Sequence, residues 1–341
     1  MRHRTALLTA TLCGVTTLLA APAASQEILL RYEPRERMVV RTTSETDIDV
    51  KMALGGLIGM IAAMGEGLAQ AFGDTSDVEA MRDSIEAAMA QFSEDSMTVQ
   101  MRMQLHLTEL VIEARDGKYV VQRTIDSAMA RIRAQDEGWE NQDMGEAWPQ
   151  SARLVVDDRL RVSDFQLLTA DTAARNLPDF LRSPHGGFAL TLPEGPVSPG
   201  TTWRADVTFP FNLGETMGAG AGQEEGPPSP IERAELVSQA RITLDSVLVR
   251  GPDTLAYLRA RGEFEPVTET RQNEMGEGTA TLSGAFAGVF VWSTAWSTFV
   301  SGSSRAQLVM DAQFGAGEEE PGAGFGMGMR FTVTNRFQVR P

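Results

Sequence analysis

The chain is poor in the side chains that carry most enzyme and metal chemistry. Its 341 residues include one cysteine and three histidines. The cysteine, Cys13, lies in an N-terminal segment that we predict to be removed, so the mature chain has no thiolate ligand, thiol nucleophile or disulfide. Neither His106 nor His185 belongs to a residue pattern that makes a catalytic or metal site. We therefore expect no cofactor and no bound metal.

Motifs for nucleotide binding and acyl transfer are missing as well. His185 precedes two glycines, as in the oxyanion loop of some esterases, but no G-x-S-x-G elbow follows. The glycine-rich stretch 218–222 is followed by Glu224, Glu225 and prolines, which would repel a phosphate and prevent the helix that a phosphate loop requires. We predict that the protein is not an enzyme. Calcium binding by the acidic loops and a glycosidase-type carboxylate pair stay open as alternatives.

Basic residues are scarce too. The chain has 30 Lys and Arg against 46 Asp and Glu, a formal net charge of −16. Binding to nucleic acid depends on clustered cations that displace counterions from the phosphates, and the sequence contains no basic run. We therefore expect no nucleic-acid partner.

Long apolar runs are confined to the N-terminus. Two arginines precede the apolar run 6–21, and a stretch of small residues follows it, which is typical of a secretory signal peptide. We predict a signal peptide over residues 1–25, cleaved near Ala24 or Ser25, and export to the periplasm or the cell exterior. No later run reaches the roughly 20 residues that a transmembrane helix needs, so we expect no membrane span in the mature chain.

The chain is organised around a proline-rich joint at 188–211. Its turn, 192–200, contains three prolines and two glycines, which exclude a helix or a central strand. In the strand that follows, apolar and polar side chains alternate, which predicts one buried face. That face carries Trp203, Ala205, Val207, Phe209 and Phe211. We expect the chain to divide here into an N-terminal half at 26–187 and a C-terminal half at 188–341.

Alternating apolar and polar residues run through most of both halves, which predicts a mainly β protein. The segments 107–123 and 244–261 share an apolar strand, an Asp-centred turn and a return strand that contains a tyrosine. This similarity indicates an internal duplication. We predict two related, curved antiparallel sheets that resemble half-barrels, the first of which carries a helical insertion.

The helical insertion is predicted over 53–95. Ser76 and Glu79 form a capping-box pattern at the start of an amphipathic stretch. Its Met-rich and Gly-rich composition is compatible with two arrangements: a helical hairpin packed on the sheet, or a mobile lid over an apolar cavity. The lid candidates are Met60, Met64, Met81 and Met89.

The most apolar β segment is 280–299. Its large side chains are predicted to lie on one face, with Gly284 and Gly288 between them. Glycine beside large aromatic residues indicates either a cavity wall in a strongly curved sheet or aromatic rings packed over glycine. The side chains on this face are Leu282, Phe286, Phe290, Trp292 and Trp296.

The joint carries a family resemblance. The sequence LPEGPVSPGTTW at 192–203, together with LLRYEP at 29–34, resembles an uncharacterised family of exported bacterial β-proteins that share a Leu-Pro…Pro-Val…Gly…Trp joint. The resemblance covers most of the mature chain and implies export and a duplicated β-sheet layout. The predicted architecture is also similar to the half-barrels of periplasmic lipoprotein carriers and their outer-membrane receptors, which bind acyl chains.

Together these features predict a non-catalytic protein that binds an apolar small molecule, such as a lipid or an acyl chain, in a sheet-lined cavity. The alternative is a structural or protein-interaction module of the envelope, marked by an exposed apolar patch without a cavity. The predicted ligand-binding residues are Trp203, Phe209, Phe211, Phe286, Phe290, Trp292 and Trp296 in the wall and Met60, Met64, Met81 and Met89 in the lid.

Overall fold

The computed structural model describes residues 27–53, 96–134, 138–142, 150–168, 181, 190–212, 231, 233–273, 276–314 and 325–340. These residues form twelve β-strands. In chain order the strands are β1 Val39–Ala53, β2 Ser96–Arg115, β3 Lys118–Ala134, β4 Glu140–Gln142, β5 Gln150–Asp157, β6 Val162–Leu167, β7 Thr202–Asn212, β8 Arg233–Arg250, β9 Asp253–Asn273, β10 Gly276–Ser293, β11 Thr298–Phe314 and β12 Phe325–Arg340.

All twelve strands belong to one antiparallel sheet. Its order is β6-β5-β3-β2-β1-β12-β11-β10-β9-β8-β7, and the short β4 pairs with β3. The protein is mainly β and antiparallel, as predicted, but the prediction of two separate sheets is wrong. The first strand pairs with the last, from Arg41 opposite Arg340 to Met52 opposite Met329. This pairing satisfies main-chain groups that two separate sheets would each leave exposed at an edge.

Side chains alternate between a buried and an exposed face along the long strands. In β7, Ala205, Val207, Phe209 and Phe211 are buried, which confirms the face predicted from the alternation. The same period of two in the other long strands gathers their apolar side chains into one hydrophobic core. We call the buried side of the sheet the inner face and the exposed side the outer face.

The sheet wraps around its own inner face. Phe211 on β7 and Phe331 on β12 are five strands apart in the sheet order, a separation of about 24 Å in a flat sheet. Their ring centroids are 5.1 Å apart. Strong curvature brings the two rings together. The sheet is nevertheless not closed, because its edge strands β6 and β7 do not pair with each other.

The proline-rich joint connects the two edge regions of the sheet. On one side, Leu192 N donates to the carbonyl oxygen of Arg159, in the turn between β5 and β6, at 3.1 Å. On the other side, Gly200 N donates to the carbonyl oxygen of Leu244 on β8 at 2.7 Å. Gly200 has a φ of 91°, a left-handed conformation that glycine adopts without strain. The joint therefore ties the first and second halves of the chain together at this end of the sheet.

Two turns agree with the sequence prediction. Asp116 and Gly117 have φ values of 51° and 70° between β2 and β3, and Gly251 has a φ of 62° between β8 and β9. Such left-handed residues allow tight connections between antiparallel strands. The predicted hairpins at 107–123 and 244–261 are therefore confirmed.

The apolar segment 280–299 is not one strand. β10 ends at Ser293, and a tight turn over 294–297 reverses the chain before β11. The carboxylate of Asp253, in the neighbouring hairpin, accepts hydrogen bonds from Ser293 Oγ at 2.7 Å and from Ala295 N at 2.9 Å. These bonds fix the turn. The prediction that Trp296 shares a strand face with Trp292 is therefore wrong, because Trp296 lies in the turn.

Several predictions concern residues outside the described part of the chain. The signal peptide at 1–25 and nearly all of the helical insertion predicted over 53–95 lie there. Ala53 is described, and it is the last residue of β1 rather than the start of a helix. The described chain resumes at Ser96, the first residue of β2.

Candidate ligand-binding interior

The inner face of β10 to β12 is built from aromatic rings packed over glycine. Phe290 on β10 lies over Gly302, its direct partner on β11. A Cβ atom at Gly302 would lie 2.7 Å from Phe290 Cδ1 and would also overlap the ring of Phe337 on β12. The ring centroid of Phe290 is 6.3 Å from that of Phe337 and 5.9 Å from that of Phe299. Within the segment 280–299, the predicted packing of a ring over glycine is observed at Gly288, where a Cβ atom would lie 2.8 Å from Phe290 Cε2.

Trp292 and Phe299 complete this aromatic group near the β10–β11 turn. Their rings meet edge to face with centroids 5.0 Å apart, and both side chains are fully buried. Trp292 Nε1 has no hydrogen-bond partner among the described residues. An indole N–H buried without an acceptor is unfavourable, so this donor would gain from an oxygen atom supplied by a ligand or by water.

A second aromatic group lies nearer the β7 edge. The ring centroid of Phe264 on β9 is 5.9 Å from that of Phe209 and 5.4 Å from that of Phe286. Gly262 makes room for this group, because a Cβ atom there would lie 2.9 Å from the ring of Phe286. These rings, together with the contact of Phe211 with Phe331, lie on the inner face of the C-terminal half.

The predicted ligand-binding residues fall into three sets. Trp203 is half-buried, and its Nε1 donates to the carbonyl oxygen of Thr191 at 3.1 Å. Trp296 is 41% exposed in its turn. The four lid candidates, Met60, Met64, Met81 and Met89, lie outside the described residues. The predicted residues that meet in the buried inner face are Phe209, Phe211, Phe286, Phe290 and Trp292.

The inner face of the N-terminal strands carries a buried ion pair that is not among the predicted site residues. Arg123 on β3 lies directly opposite Glu109 on β2, with Arg123 Nε 2.8 Å from Glu109 Oε2. Arg123 also donates to the carbonyl oxygen of Leu181 at 2.8 Å, and Tyr32 Oη donates to Glu109 Oε1 at 2.9 Å. Burial, followed by the charge of Glu109, raises the pKa of Tyr32 well above its usual value. The Tyr32 hydroxyl therefore stays protonated as a donor.

A signal for this ion pair is present in the alternation of β3. Arg123 lies two residues after Val121 and two residues before Ile125, and both of those side chains are on the buried face. A charge at such a position is buried only when it is paired. The identity of the partner depends on the register of β2 and β3, which includes two irregularities that the sequence does not reveal.

A polar stripe crosses the inner face where β1, β12 and β11 adjoin. Asn335 Nδ2 on β12 donates to Ser44 Oγ at 3.0 Å and to Thr46 Oγ1 at 2.8 Å, both on β1. Ser304 on β11 lies directly opposite Asn335. All four side chains are buried, yet Asn335 Oδ1 and Ser304 Oγ have no partner among the described residues. These two oxygens are available to a polar group on the inner face.

Cavities lined by described residues open on the outer face. The first, of about 410 Å³, contains Trp139, whose ring centroid is 5.3 Å from the guanidinium carbon of Arg102 and 5.0 Å from that of Arg133. Arg102 is also paired with Asp47 at 2.7 Å, which compensates the charge of Arg102. The second cavity, of about 560 Å³, lies over β7 to β10 and is lined by three arginines.

Within the described ranges, no group of three or more His, Cys, Asp or Glu side chains is placed to bind a metal ion. The same ranges contain no helix with the length and apolar character needed to cross a membrane. Comparison of the chain with protein-family models and with curated proteins finds no match.

Proposed function

We propose that the protein is an exported, non-catalytic binding protein for an apolar ligand, such as a lipid or an acyl chain, and that the ligand binds on the inner face of the sheet. The observation that carries this proposal is the wrapped but unclosed sheet, whose apolar side chains form one continuous core. A concave, mostly apolar surface with a few polar groups is typical of sites for small molecules.

The open edge would give access to the inner face without the loss of a strand pairing. Strand pairing joins each strand to its neighbours except across the gap between β6 and β7. Moving the β7 edge away from β12 would break side-chain contacts such as that of Phe211 with Phe331, but no strand pairing. An aromatic contact of this kind contributes about 1 kcal/mol beyond its buried area. An acyl chain inserted at this position would replace those contacts with its own.

The inner face has a polar region beside its apolar one, which suits an amphipathic ligand. Asn335 lies two residues before Phe337 on the same face of β12, and Ser304 lies two residues after Gly302 on β11. The unpartnered oxygens are thus next to the aromatic group that covers Gly302. In this proposal the acyl chain packs on the rings, and a hydroxyl or amide of the ligand donates to Asn335 Oδ1.

The proposal includes the layout of the two halves. β1 to β3 and β7 to β9 are both three-stranded antiparallel meanders, and we propose that they are corresponding units of a duplication that spans 26–187 and 188–341. The Leu-Pro…Trp joint supports membership of the exported bacterial β-protein family. The insertion at 53–95 is proposed to cover the inner face as a helical element.

Native mass spectrometry tests the proposed function. The mature protein is purified from its own envelope without detergent, and its mass is compared before and after solvent extraction. We expect a stoichiometric adduct of lipid size that disappears on extraction, and an N-terminus near Ala24 or Ser25 that reports export. A clean mass in a protein that also fails to take up a fatty acid in vitro would contradict the proposal.

A second candidate function, a protein-interaction module of the envelope, is supported by exposed apolar side chains at the turn end of the sheet. Leu248 and Val249 are 50% and 56% exposed beside the β8–β9 turn, and the exposed Trp296 lies in the adjacent β10–β11 turn. Exposed apolar clusters mark contact sites. Capture of a specific envelope protein that is lost in the double variant Leu248→Ser/Trp296→Ser, together with a clean native mass, would favour this function.

A further inference from the structure

Three arginines form a row across neighbouring strands on the outer face of the C-terminal half. Arg204 on β7 lies directly opposite Arg241 on β8, and Arg241 lies directly opposite Arg261 on β9. All three residues are exposed. Side chains directly opposite each other in an antiparallel pair have Cβ atoms about 5 Å apart. The three guanidinium groups therefore lie within reach of one small ligand. We call these residues the arginine row.

The arginine row is unfavourable in the free protein. Like charges in directly opposite positions destabilise a sheet, and the ion pairs among the described residues include none that compensates the row. Arg259 shows the contrast, because it lies two residues before Arg261 on the same face and contacts Asp245 at 2.7 Å. The chain as a whole has a net charge of −16, so this local excess of cations runs against its composition.

A cavity of about 560 Å³ lies beside the arginine row. Ala285 lines it without a bulky side chain, and Gln239 and Glu263 line it as well. Asp206 lies opposite Gln239 outside the cavity lining. One carboxylate against the three guanidinium groups of the row leaves an excess of two positive charges in the lining. This excess matches the charge of about −2 that a phosphate monoester carries near neutral pH.

We propose that the arginine row binds the phosphate group of a ligand. Guanidinium groups are planar and donate in a fork that matches the oxygens of phosphate, and such charge-assisted hydrogen bonds are about twice as strong as neutral ones. A shared phosphate would also remove the repulsion among the three cations. The recognised chemistry is the phosphate group itself, carried by a soluble phosphate or by a lipid headgroup. The site lies on the outer face, so the inference does not rest on the proposed function of the inner face.

Calorimetric titration of the mature protein with pyrophosphate at constant ionic strength tests this inference. We expect saturable binding at a single site in the wild type. Arg241→Gln removes the central guanidinium group and should weaken binding at least about tenfold. Arg305→Gln is the matched control, because Arg305 is exposed on the same face but lies opposite Ala287 and Thr334. The control should change the affinity less than about twofold.

Thermal unfolding separates lost binding from lost folding. Arg241 faces a cation on each side, so Arg241→Gln should not lower the unfolding temperature of the free protein. Pyrophosphate should raise the unfolding temperature of the wild type and of Arg305→Gln, and should raise that of Arg241→Gln less, because a ligand that binds only the folded state stabilises it.

Vesicle flotation distinguishes the two sources of phosphate. Flotation with vesicles that contain phosphatidic acid, whose headgroup is a phosphate monoester, but not with phosphatidylcholine vesicles, that is lost in Arg241→Gln and kept in Arg305→Gln assigns a lipid headgroup. Pyrophosphate binding without flotation assigns a soluble ligand. The inference is overturned if the wild type binds neither probe. It is also overturned if both variants weaken binding equally, because that result would reflect the general charge of the surface.

Discussion

The same inner face is filled in two ways along the sheet. In the C-terminal half, Phe290 and Phe337 pack over Gly302, and the contacts are between rings and the backbone of neighbouring strands. In the N-terminal half, the face carries the ion pair of Arg123 with Glu109, each of which forms further hydrogen bonds. The free energy of a ring contact is short-ranged and depends on how well the shapes fit. The free energy of the ion pair depends on the charges of both partners.

The two halves should therefore differ in which replacements of their inner-face contacts they tolerate. An apolar group of similar volume can replace the contacts of a ring with little loss of stability. An extra atom under the ring, by contrast, forces the ring or the backbone to move. A buried charge, by contrast, needs a partner of opposite charge and cannot exchange that partner for an apolar group. In the proposed function, the aromatic half is therefore the part that exchanges contacts with an acyl chain, and the N-terminal half is the fixed part.

Breaking the ion pair should have the largest effect on stability. Glu109→Leu leaves the Arg123 guanidinium group buried without its carboxylate, so we expect the free energy of unfolding in a denaturant titration to fall by about 3 to 5 kcal/mol. Glu113→Leu is the control on the same strand, because its pair with Arg115 is exposed, and it should lower the free energy by no more than about 0.5 kcal/mol. Similar losses in the two variants would contradict a buried pair.

The double variant Glu109→Leu/Arg123→Met sharpens the same test. Replacing both partners by apolar side chains removes the uncompensated charge, so most of the loss seen in Glu109→Leu should be recovered. A double variant as unstable as the single one would show that the cluster acts through packing rather than charge.

Adding one methyl group under the rings should have the next largest effect. Gly302→Ala places a Cβ atom against Phe290 and Phe337, so we expect a loss of about 1 to 3 kcal/mol in unfolding free energy. Gly328→Ala on β12 is the control, because the nearest atom to its added Cβ is Asp311 Oδ1 at 3.7 Å. That variant should be unchanged or more stable by about 0.5 kcal/mol, since alanine has less entropy to lose than glycine. The packing described for Gly302 is incorrect if both variants behave alike.

Removal of the Tyr32 hydroxyl should have a smaller effect that depends on pH. Tyr32→Phe leaves Glu109 Oε1 without its donor, so we expect a loss of about 1 to 2 kcal/mol at neutral pH. Burial raises the folded-state pKa of Tyr32 above the unfolded value of about 10. The contribution is therefore fully present below about pH 10 and is lost as the pH rises through the folded-state pKa.

Urea titrations between about pH 7 and pH 11 check this sign. The stability difference between wild type and Tyr32→Phe should shrink at the alkaline end. Tyr257→Phe, on the outer face of β9, is the control for the loss of a tyrosine hydroxyl outside the buried cluster. A difference that grows with pH would contradict the buried, protonated hydroxyl.

The smallest effect is expected at the turn between β10 and β11. Burial alone would raise the pKa of Asp253, but hydrogen bonds from Ser293, Ala295 and Thr254 outweigh it and lower the pKa below the usual range. Asp253→Asn should lower the free energy of unfolding by about 1 kcal/mol at neutral pH. The difference from wild type should disappear as the pH falls through the folded-state pKa, because the protonated acid gains nothing there. Asp116→Asn, in an exposed turn, is the control and should leave the free energy of unfolding at neutral pH nearly unchanged.

Local features of the fold were predictable, and long-range ones were not. The buried face of β7 follows from alternation in one strand, and the turn at Asp116 follows from a few adjacent residues. The pairing of β1 with β12 joins the two ends of the described chain, and no local pattern encodes it. Trp296 was misplaced for the same reason, because Asp253, which fixes its turn, belongs to another hairpin.

In the candidate sites, too, features within one strand were predictable and features that depend on strand pairing were not. The aromatic residues of the inner face are identifiable from composition and alternation, since Phe209 and Phe290 belong to strands whose pattern is clear. The arginine row requires the registers of three strands, one pair of which shifts between Leu244 and Ser246. A one-residue change in register moves a side chain to the other face, so the row is visible only in the folded structure.

The most direct test of the account is photo-crosslinking of a diazirine-bearing fatty acid to the mature protein, with the labelled residues mapped by peptide mass spectrometry. Binding on the inner face predicts labels on inward-facing residues of β7, β10 and β12, such as Phe209, Phe290 and Phe337, and competition by unlabelled fatty acid. Labels confined to the exposed Leu248 and Val249, or labelling that unlabelled fatty acid does not reduce, would contradict a ligand site inside the wrapped sheet.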